Sequence, residues 1–423
     1  HSVVVMSYDY TVMAGTQGYF NHAKMRRLFE TAERRECAVI MFVEGGGGRP
    51  GETDMAAISQ LDEQTFSMVA RLSGKVPLVS IASGRTFAGN AALAAVSDLI
   101  IATHDANIGM GGPAMIEGGG LGVYAPEEIG PVEVQTANGV IDVLAQDDAE
   151  AVTVARKYLQ QIMDPTVAEY SEHDPRLLRH VVPGNRLRSY NVRDAVRLLA
   201  DIDSVLEIRA DYGIGIITSL ARVQGRAVGL LANNPNHLGG AIDPPAAEKA
   251  ARFLQLCEAH RLPVVSLVDT PGFMVGPEIE KSAAVRRFGR LFLAGANLSV
   301  PVVAVVLRKG YGLGAMAMTG GDLKAPLVTL SWPTGEFGGM GLEGAVRLGF
   351  RDELEAIEDQ QERQQRFQEL VDDLYQRGKA LNIASVHEVD DVIDPAKTRL
   401  VLSAHLASLP DRPVKGRRYI DSW

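Results

Sequence analysis

The stretch ECAVIMFVEGGGGRPG, Glu36 to Gly51, decides the fold because it recurs further along the chain as HRLPVVSLVDTPGFMVG, His260 to Gly276. Each copy is an apolar strand ending on one acid, Glu44 or Asp269, followed by a glycine-bearing turn. A second landmark follows each acid at a matched distance. PLVSIASGRTFAGNAAL starts at Pro77 and PVVAVVLRKGYGLGAMAM at Pro301, and both read as strand, glycine turn, helix. The third landmark is a glycine cluster, Gly111 and Gly112 in NIGMGGP, answered by Gly338, Gly339 and Gly341 in EFGGMGLEG. Three landmarks in one order indicate an internal duplication, and a duplication changes how every motif inside it is read.

The expectation is therefore α/β, with two homologous strand-strand-helix domains at residues 1–165 and 196–423 joined by a linker at 166–195. That linker includes SEHDPRLLRHVVPGNRLRSYNV, in which Pro175, Pro183 and Gly184 break any periodicity. Helical spacing of apolar residues predicts helices over FNHAKMRRLFETAERR, AAEKAARFLQLCEAH and the charged DELEAIEDQQERQQRFQELVDDLYQRG, Asp352 to Gly378. The last reads as a solvated outer helix or an oligomer contact.

Composition narrows the functional classes. The 423 residues are 46% hydrophobic and 22% charged, a globular balance with enough apolar content for a core in each domain. A net charge of −10 without a basic stripe argues against nucleic-acid binding, which needs concentrated cationic surface. Cys37 and Cys257 stand far apart and outside any CxxC, so neither a disulfide framework nor a structural zinc is indicated, and a reducing cytoplasm fits. No run has the length of a membrane span, and the start HSVVVMSYDY lacks the zones of a signal peptide. Because His1 is not an initiator methionine, the chain is expected to be a fragment, a processed product or one domain of a longer polypeptide.

The glycine turns carry the chemistry. A strand that passes straight into a helix points the helix's first free N–H groups at one spot, and such amides stabilise negative charge on oxygen without any side chain. The candidate oxyanion holes are Gly89 with Asn90, preceded by Ala88, and Gly314 with Ala315. Either turn alone reads equally as a tight strand-to-helix connection packed with small residues. Two of them at matched places of a repeat point instead to a reaction with two oxyanions. Carboxyl transfer from N-carboxybiotin to a thioester is such a reaction, since it develops charge on a ureido oxygen and on an enolate.

At these residues the sequence resembles the carboxyltransferase subunits of biotin-dependent acyl-CoA carboxylases, members of the crotonase-like superfamily. The likeness covers nearly the whole chain and is carried by Gly225 to Glu280, by RKGYGLGAMAM from Arg308 and by VDDVIDP from Val389. It implies two duplicated crotonase-like β-β-α superhelix domains and transfer of carboxyl from carboxybiotin to the α-carbon of an acyl-CoA. By position, Gly89 and Asn90 would hold the thioester oxygen, and Gly314 and Ala315 the biotin ureido oxygen. Ala88, Gly111, Gly112, Ala317, Gly338 and Gly339 would line the substrate site. The resemblance further implies a homo-oligomer, a dimer or a trimer of dimers, with no metal at the transfer step. A biotin carboxylase and a biotin carrier would act with it, as separate subunits or as parts of the same polypeptide, because no AMKM biotin-accepting motif occurs.

Three departures from the family pattern are visible. Asn90 stands where two glycines are common, the turn YGLGAM reads one residue longer than the commoner YGGAY with Leu313 as the insertion, and the first domain starts short. Relatives carry a larger residue, such as aspartate or isoleucine, at the position matched to Ala317, so alanine there predicts room for acyl groups longer than acetyl. Glu44 and Asp269 are expected as turn and capping acids in preference to a general acid and base, and His237 as structural. Arg308 and Lys309 are open between CoA phosphates and packing. The run EGGGGRPGETD lacks the GK[ST] ending of a P-loop and reads as a loop lining the CoA entrance, while GGPAMIEGGGLGVYAPEEIG wraps the acyl site. The competing readings are a transcarboxylase or decarboxylase subunit, a crotonase-type hydratase or isomerase, and a non-catalytic scaffold subunit of a carboxylase complex.

Overall fold

A computed structural model describes residues 1–49, 51, 61–408 and 419–423. The chain forms two compact units, the first from residues 1–165 with 206–212 and part of the C-terminal segment, the second from 166–205 with most of the chain after 213.

The sheet of the first unit runs Val3–Ser7, Ala38–Phe42, Leu78–Ala82, Leu99–Thr103, Val143–Ala145, and every neighbouring pair is parallel. Parallel strands covered on both faces read as unbroken apolar runs, which is why AVIMF, LVSIA and LIIAT show no polar alternation. The Tyr19–Arg35 helix makes the first crossover and buries Met25 and Phe29 in a core shared with Val39, Met41, Leu78 and Leu93. Asp147 caps the Asp148–Met163 helix by accepting from the Glu150 N–H at 2.9 Å. Beyond the end of Leu78–Ala82 the chain resumes as Arg85–Phe87, paired in parallel with Asn107–Gly109.

The second unit repeats this order of elements. Its parallel strands are Arg226–Asn233, Val264–Thr270, Val302–Tyr311, Val328–Ser331 and Asp391–Val392, and Glu336–Gly338 pairs with the end of Val302–Tyr311. One antiparallel strand, Ile216–Val223, is added through a two-residue hairpin. Gln224 and Gly225 both have positive φ there, the backbone twist a two-residue hairpin favours. Leu230, Leu267, Val303, Val305, Leu330 and Trp332 form the core. Residues 166–195, expected to act as a linker, supply Leu178, Val182, Tyr190 and Val192 to that core.

The charged stretch after Asp352 differs from the single helix expected. It forms two helices, Arg351–Glu355 and Gln360–Arg377, because the Asp359 carboxylate accepts from the Glu362 N–H at 2.8 Å and starts a new helix. No helix among the described residues is long and apolar enough to cross a membrane.

Candidate active site: two strand-to-helix turns

In the first unit, Ala88 follows the Phe87–Gly109 ladder pair with φ 50° and ψ −117°, a positive φ uncommon for alanine. Its N–H donates to the Gly109 carbonyl at 3.0 Å, and the reversal starts the Gly89–Ala95 helix at once. The N–H groups of Gly89 and Asn90 belong to that helix's first turn, where no helical carbonyl can accept them. Opposite lies the glycine run after Glu44. A β-carbon on Gly47 would lie 2.4 Å from the Ala88 Cβ and 3.0 Å from the Gly89 nitrogen, so only glycine allows this approach.

Asn90 closes the arrangement without crowding the turn. Its side chain is fully buried, accepting from the Gly47 N–H at 3.0 Å and donating to the Glu44 carbonyl at 3.3 Å. Gln17, which sequence reasoning missed, is buried beside it. Its backbone N–H donates to the Gly47 carbonyl at 2.7 Å, and its Oε1 would be 2.3 Å from a β-carbon on Gly89. A lone glutamine in a polar stretch carries no signal by which it could have been found. Gly112 abuts the Phe87 ring, whereas Gly111 faces Met115. Of the EGGGGRPGETD loop, Pro50 and 52–54 lie outside the described residues.

In the second unit the ladder pair Tyr311–Gly338 stands where Phe87–Gly109 stands in the first, and Gly312 with φ 55° stands where Ala88 does. Gly341 precedes the Leu342–Gly349 helix as Gly112 precedes Pro113–Gly118. On this register Leu313 and Gly314, not Gly314 and Ala315, match Gly89 and Asn90. The turn is the same length in both units. A β-carbon on Gly314 would lie 2.7 Å from the Gly272 Cα, so Gly314 approaches the Thr270–Gly272 loop as Asn90 approaches Glu44–Gly47. Ala315 and Ala317 are buried at 3% and 1% exposure, whereas Leu313 is 62% exposed and Met316, three residues on, is partly exposed on the same helix face. Ala317 thus faces the interior of its unit. Gly338 packs on Leu342, and Gly339 is open.

Both acids cap the breaks in their neighbouring strands. Glu44 accepts from the Ser83 N–H at 2.9 Å, and Asp269 from the Lys309 N–H at 3.2 Å. Burial pushes the Glu44 carboxyl above its usual range, the Ser83 N–H opposes this, and Asp148 and Asp105 add to it. Arg308, left open between CoA phosphates and packing, is buried and ion-paired with Asp269 at 3.1 Å. His237 pairs with Asp243 at 2.9 Å, which also caps the Pro244–Ala259 helix. No group of three or more His, Cys, Asp or Glu side chains able to hold a metal occurs among the described residues.

Residues 1–418 match the family described as the carboxyl transferase domain. The chain belongs to the carboxyl transferase family. It is 34% identical over 412 residues to the methylmalonyl-CoA carboxyltransferase 12S subunit of Propionibacterium freudenreichii subsp. shermanii, covering 95% of this chain and 77% of that one. To the biotin-dependent long chain acyl-coenzyme A carboxylase beta4 subunit of Mycobacterium tuberculosis it is 31% identical over 428 residues, covering 97% and 80%. Among solved structures, a single-chain, multi-domain long-chain acyl-CoA carboxylase superposes with a TM-score of 0.88 at 59% identity. That likeness covers 94% of this chain and only 39% of the carboxylase. The transcarboxylase 12S hexamer with methylmalonyl-CoA bound superposes with a TM-score of 0.85 at 31% identity, covering 98% and 81%. The α/β fold and the carboxyltransferase assignment expected from the sequence are thereby established.

Proposed function

We propose that this carboxyltransferase moves a carboxyl group from N-carboxybiotin to the α-carbon of an acyl-CoA longer than acetyl-CoA, using the amides of Gly89 and Asn90 and those of Leu313 and Gly314. The observation that carries this is the recurrence of one device in both units: a residue of positive φ at the strand-to-helix junction, Ala88 just before its helix and Gly312 as the first residue of its own, with a neighbouring loop held against the first amides. Gly89 and Asn90 would hold the thioester oxygen and stabilise the charge it gains as the α-proton leaves. Leu313 and Gly314 would hold the ureido oxygen of carboxybiotin, which supplies the carboxyl. Removal of one such donor from an oxyanion hole costs about 10²- to 10³-fold in rate.

The carboxylating direction and long acyl groups are favoured because identity is higher to the long-chain acyl-CoA carboxylase than to the 12S subunit. We further infer a homo-oligomer, as in the 12S hexamer, working with biotin carboxylase and biotin carrier components. The Asn90 side chain is committed to the glycine loop and supports the first turn, which favours an enzyme over a non-catalytic scaffold subunit. The test is carboxylation of acetyl-, butyryl- and palmitoyl-CoA by the purified protein with a biotinylated carrier that a biotin carboxylase keeps carboxylated from ATP and bicarbonate. Product from the longer thioesters that avidin suppresses is expected, and no carboxylated product from any of them would overturn the assignment.

A further inference from the structure

The strand that delivers the second turn is irregular just before it. Val268 lies opposite Val306, yet Thr270 lies opposite Gly310, so Leu307, Arg308 and Lys309 on one strand face the single residue Asp269 on the other. Across this bulge the strand changes neighbours. Val303–Val306 pair with Val328–Ser331, while Lys309–Tyr311 pair with Glu336–Gly338. Bulges re-aim a strand where they occur, and this one aims the chain into Gly312.

A single buried carboxylate spans the irregularity. Asp269 is fully buried, and its Oδ2 accepts from the Arg308 Nε at 3.1 Å. Its Oδ1 accepts from the Lys309 N–H at 3.2 Å and lies 3.3 Å from the Lys309 Nζ. Its own N–H donates to the Asn233 Oδ1 at 3.1 Å. Arg308 in turn donates to the carbonyls of Arg186 at 3.1 Å and Arg188 at 2.7 Å, with its guanidinium over the Tyr190 ring. Lys309 donates to the Gly239 carbonyl at 2.6 Å.

We propose that Asp269 is a positioning residue that fixes both walls of the second turn from one point. By chain continuity it leads through Pro271 into Gly272, whose backbone abuts Gly314. By ion pairing it holds the strand that ends at Gly312 and carries Gly314. Amide donors act through preorganisation, which fails once they drift by about half an ångström. The first unit places Glu44 at the same point, but there the carboxylate is half-buried and accepts from the Ser83 N–H. This inference rests on the carboxyltransferase reading, because it assigns Asp269 to the biotin-side turn.

The experiment compares the parent with Asp269→Asn and with Asp269→Asn/Arg308→Met, the second removing the cation that the first leaves buried without its carboxylate. Carboxylation rates are measured with acyl-CoA and a carboxybiotinylated carrier varied separately, the carrier being kept loaded by a biotin carboxylase, ATP and bicarbonate, alongside thermal unfolding. In Asp269→Asn, kcat should fall about 10²-fold, the loss expected when an oxyanion donor is displaced, while the KM for acyl-CoA stays at the parent value. The double variant should regain the unfolding midpoint without regaining kcat. Recovery of kcat together with the midpoint would make Asp269 merely structural and overturn the proposal. A rise in the KM for acyl-CoA at unchanged kcat would overturn it too. Should the single variant not fold, the double variant carries the same comparison. An inactive parent would sink the functional reading, and an active parent with an unimpaired, folded Asp269→Asn protein would sink this inference alone.

Discussion

Replacing Gly314 by alanine is the smallest change that tests the second turn. The added methyl would lie 2.7 Å from the Gly272 Cα and 2.8 Å from the Gly272 carbonyl carbon. Non-bonded carbons rest at about 3.5–4.0 Å, so the overlap is roughly 1 Å. Both partners are backbone, and no rotamer change relieves the clash. Either the Gly272 loop or the first turn of the Gly312–Met318 helix must move by about that distance. Misplacement of about 1 Å in a preorganised site costs on the order of 10²-fold in rate. Loss of one oxyanion donor costs about 10²- to 10³-fold, or roughly 2.7–4 kcal/mol of transition-state stabilisation. Overpacking costs about 1–3 kcal/mol of stability, so the unfolding midpoint should drop but the protein should remain folded. The assay is steady-state carboxylation of a long acyl-CoA with a biotinylated carrier kept loaded by a biotin carboxylase, ATP and bicarbonate, with Gly289→Ala as control because a β-carbon there meets nothing within 4 Å. Turnover near the parent value in a folded Gly314→Ala protein would show that the amides at this turn are not the donors.

Asn90→Gly would be mild if the side chain merely crowded the turn. With the Gly47 N–H and the Glu44 carbonyl left buried and unpaired, a loss of about 1–3 kcal/mol is expected in chemical unfolding, with a higher KM for acyl-CoA, and a change below about 0.5 kcal/mol would refute this. Ala317→Ile should lower stability by about 1–3 kcal/mol through overpacking at a buried site, leaving the acyl-length profile intact. Met316→Ala should instead shift the profile toward longer chains, since each buried methylene is worth roughly 0.8 kcal/mol, and rates on acetyl-, butyryl- and palmitoyl-CoA would expose the reverse pattern. Because the folded protein holds the Glu44 proton more tightly than the unfolded chain, stability should fall as pH rises from the ordinary carboxyl range through the raised value. Glu44→Gln keeps an acceptor for Ser83 and should erase that step in unfolding measured across pH, and persistence of the step would assign it to another group.

The order of elements was legible because parallel strands buried on both faces leave long apolar runs, and because the acid and glycine at their ends recur at matched spacing. Register within the second turn was not. The string YGLGAM resembles a longer turn only while side-chain identities are compared. The backbone shows Ala88 and Gly312 sharing a positive φ, 50° and 55°, a property that links alanine to glycine through φ and not through chemistry. Ala315 and Ala317, assigned on side-chain identity, are buried, and a register one residue earlier puts Leu313 and Gly314 in the donor positions we propose. Gln17 and the role of Asn90 depend on loops that come together only in the folded unit, so no local pattern announces them. The helix break at Asp359 was hidden because a charged stretch continues the helical period across a capping residue.

The two turns solve one mechanical problem with different chemistry, and the difference follows from what stands at the position after the hole's first amide. Where that residue is Asn90, its own side chain hydrogen-bonds the adjacent glycine loop, and the acid at the strand end remains half-buried. Where it is Gly314, no side chain is available to bridge to the Thr270–Gly272 loop, and loop and strand are held instead through the buried Asp269–Arg308–Lys309 cluster. Neutral hydrogen bonds from an amide contribute about 1 kcal/mol each, whereas breaking a buried ion pair costs about 3–5 kcal/mol because a charge is left unpaired. The first turn is thus expected to yield gradually to substitution and the second to fail abruptly. On the roles we propose for the two turns, the yielding one would hold thioesters of variable acyl length and the rigid one the invariant ureido group.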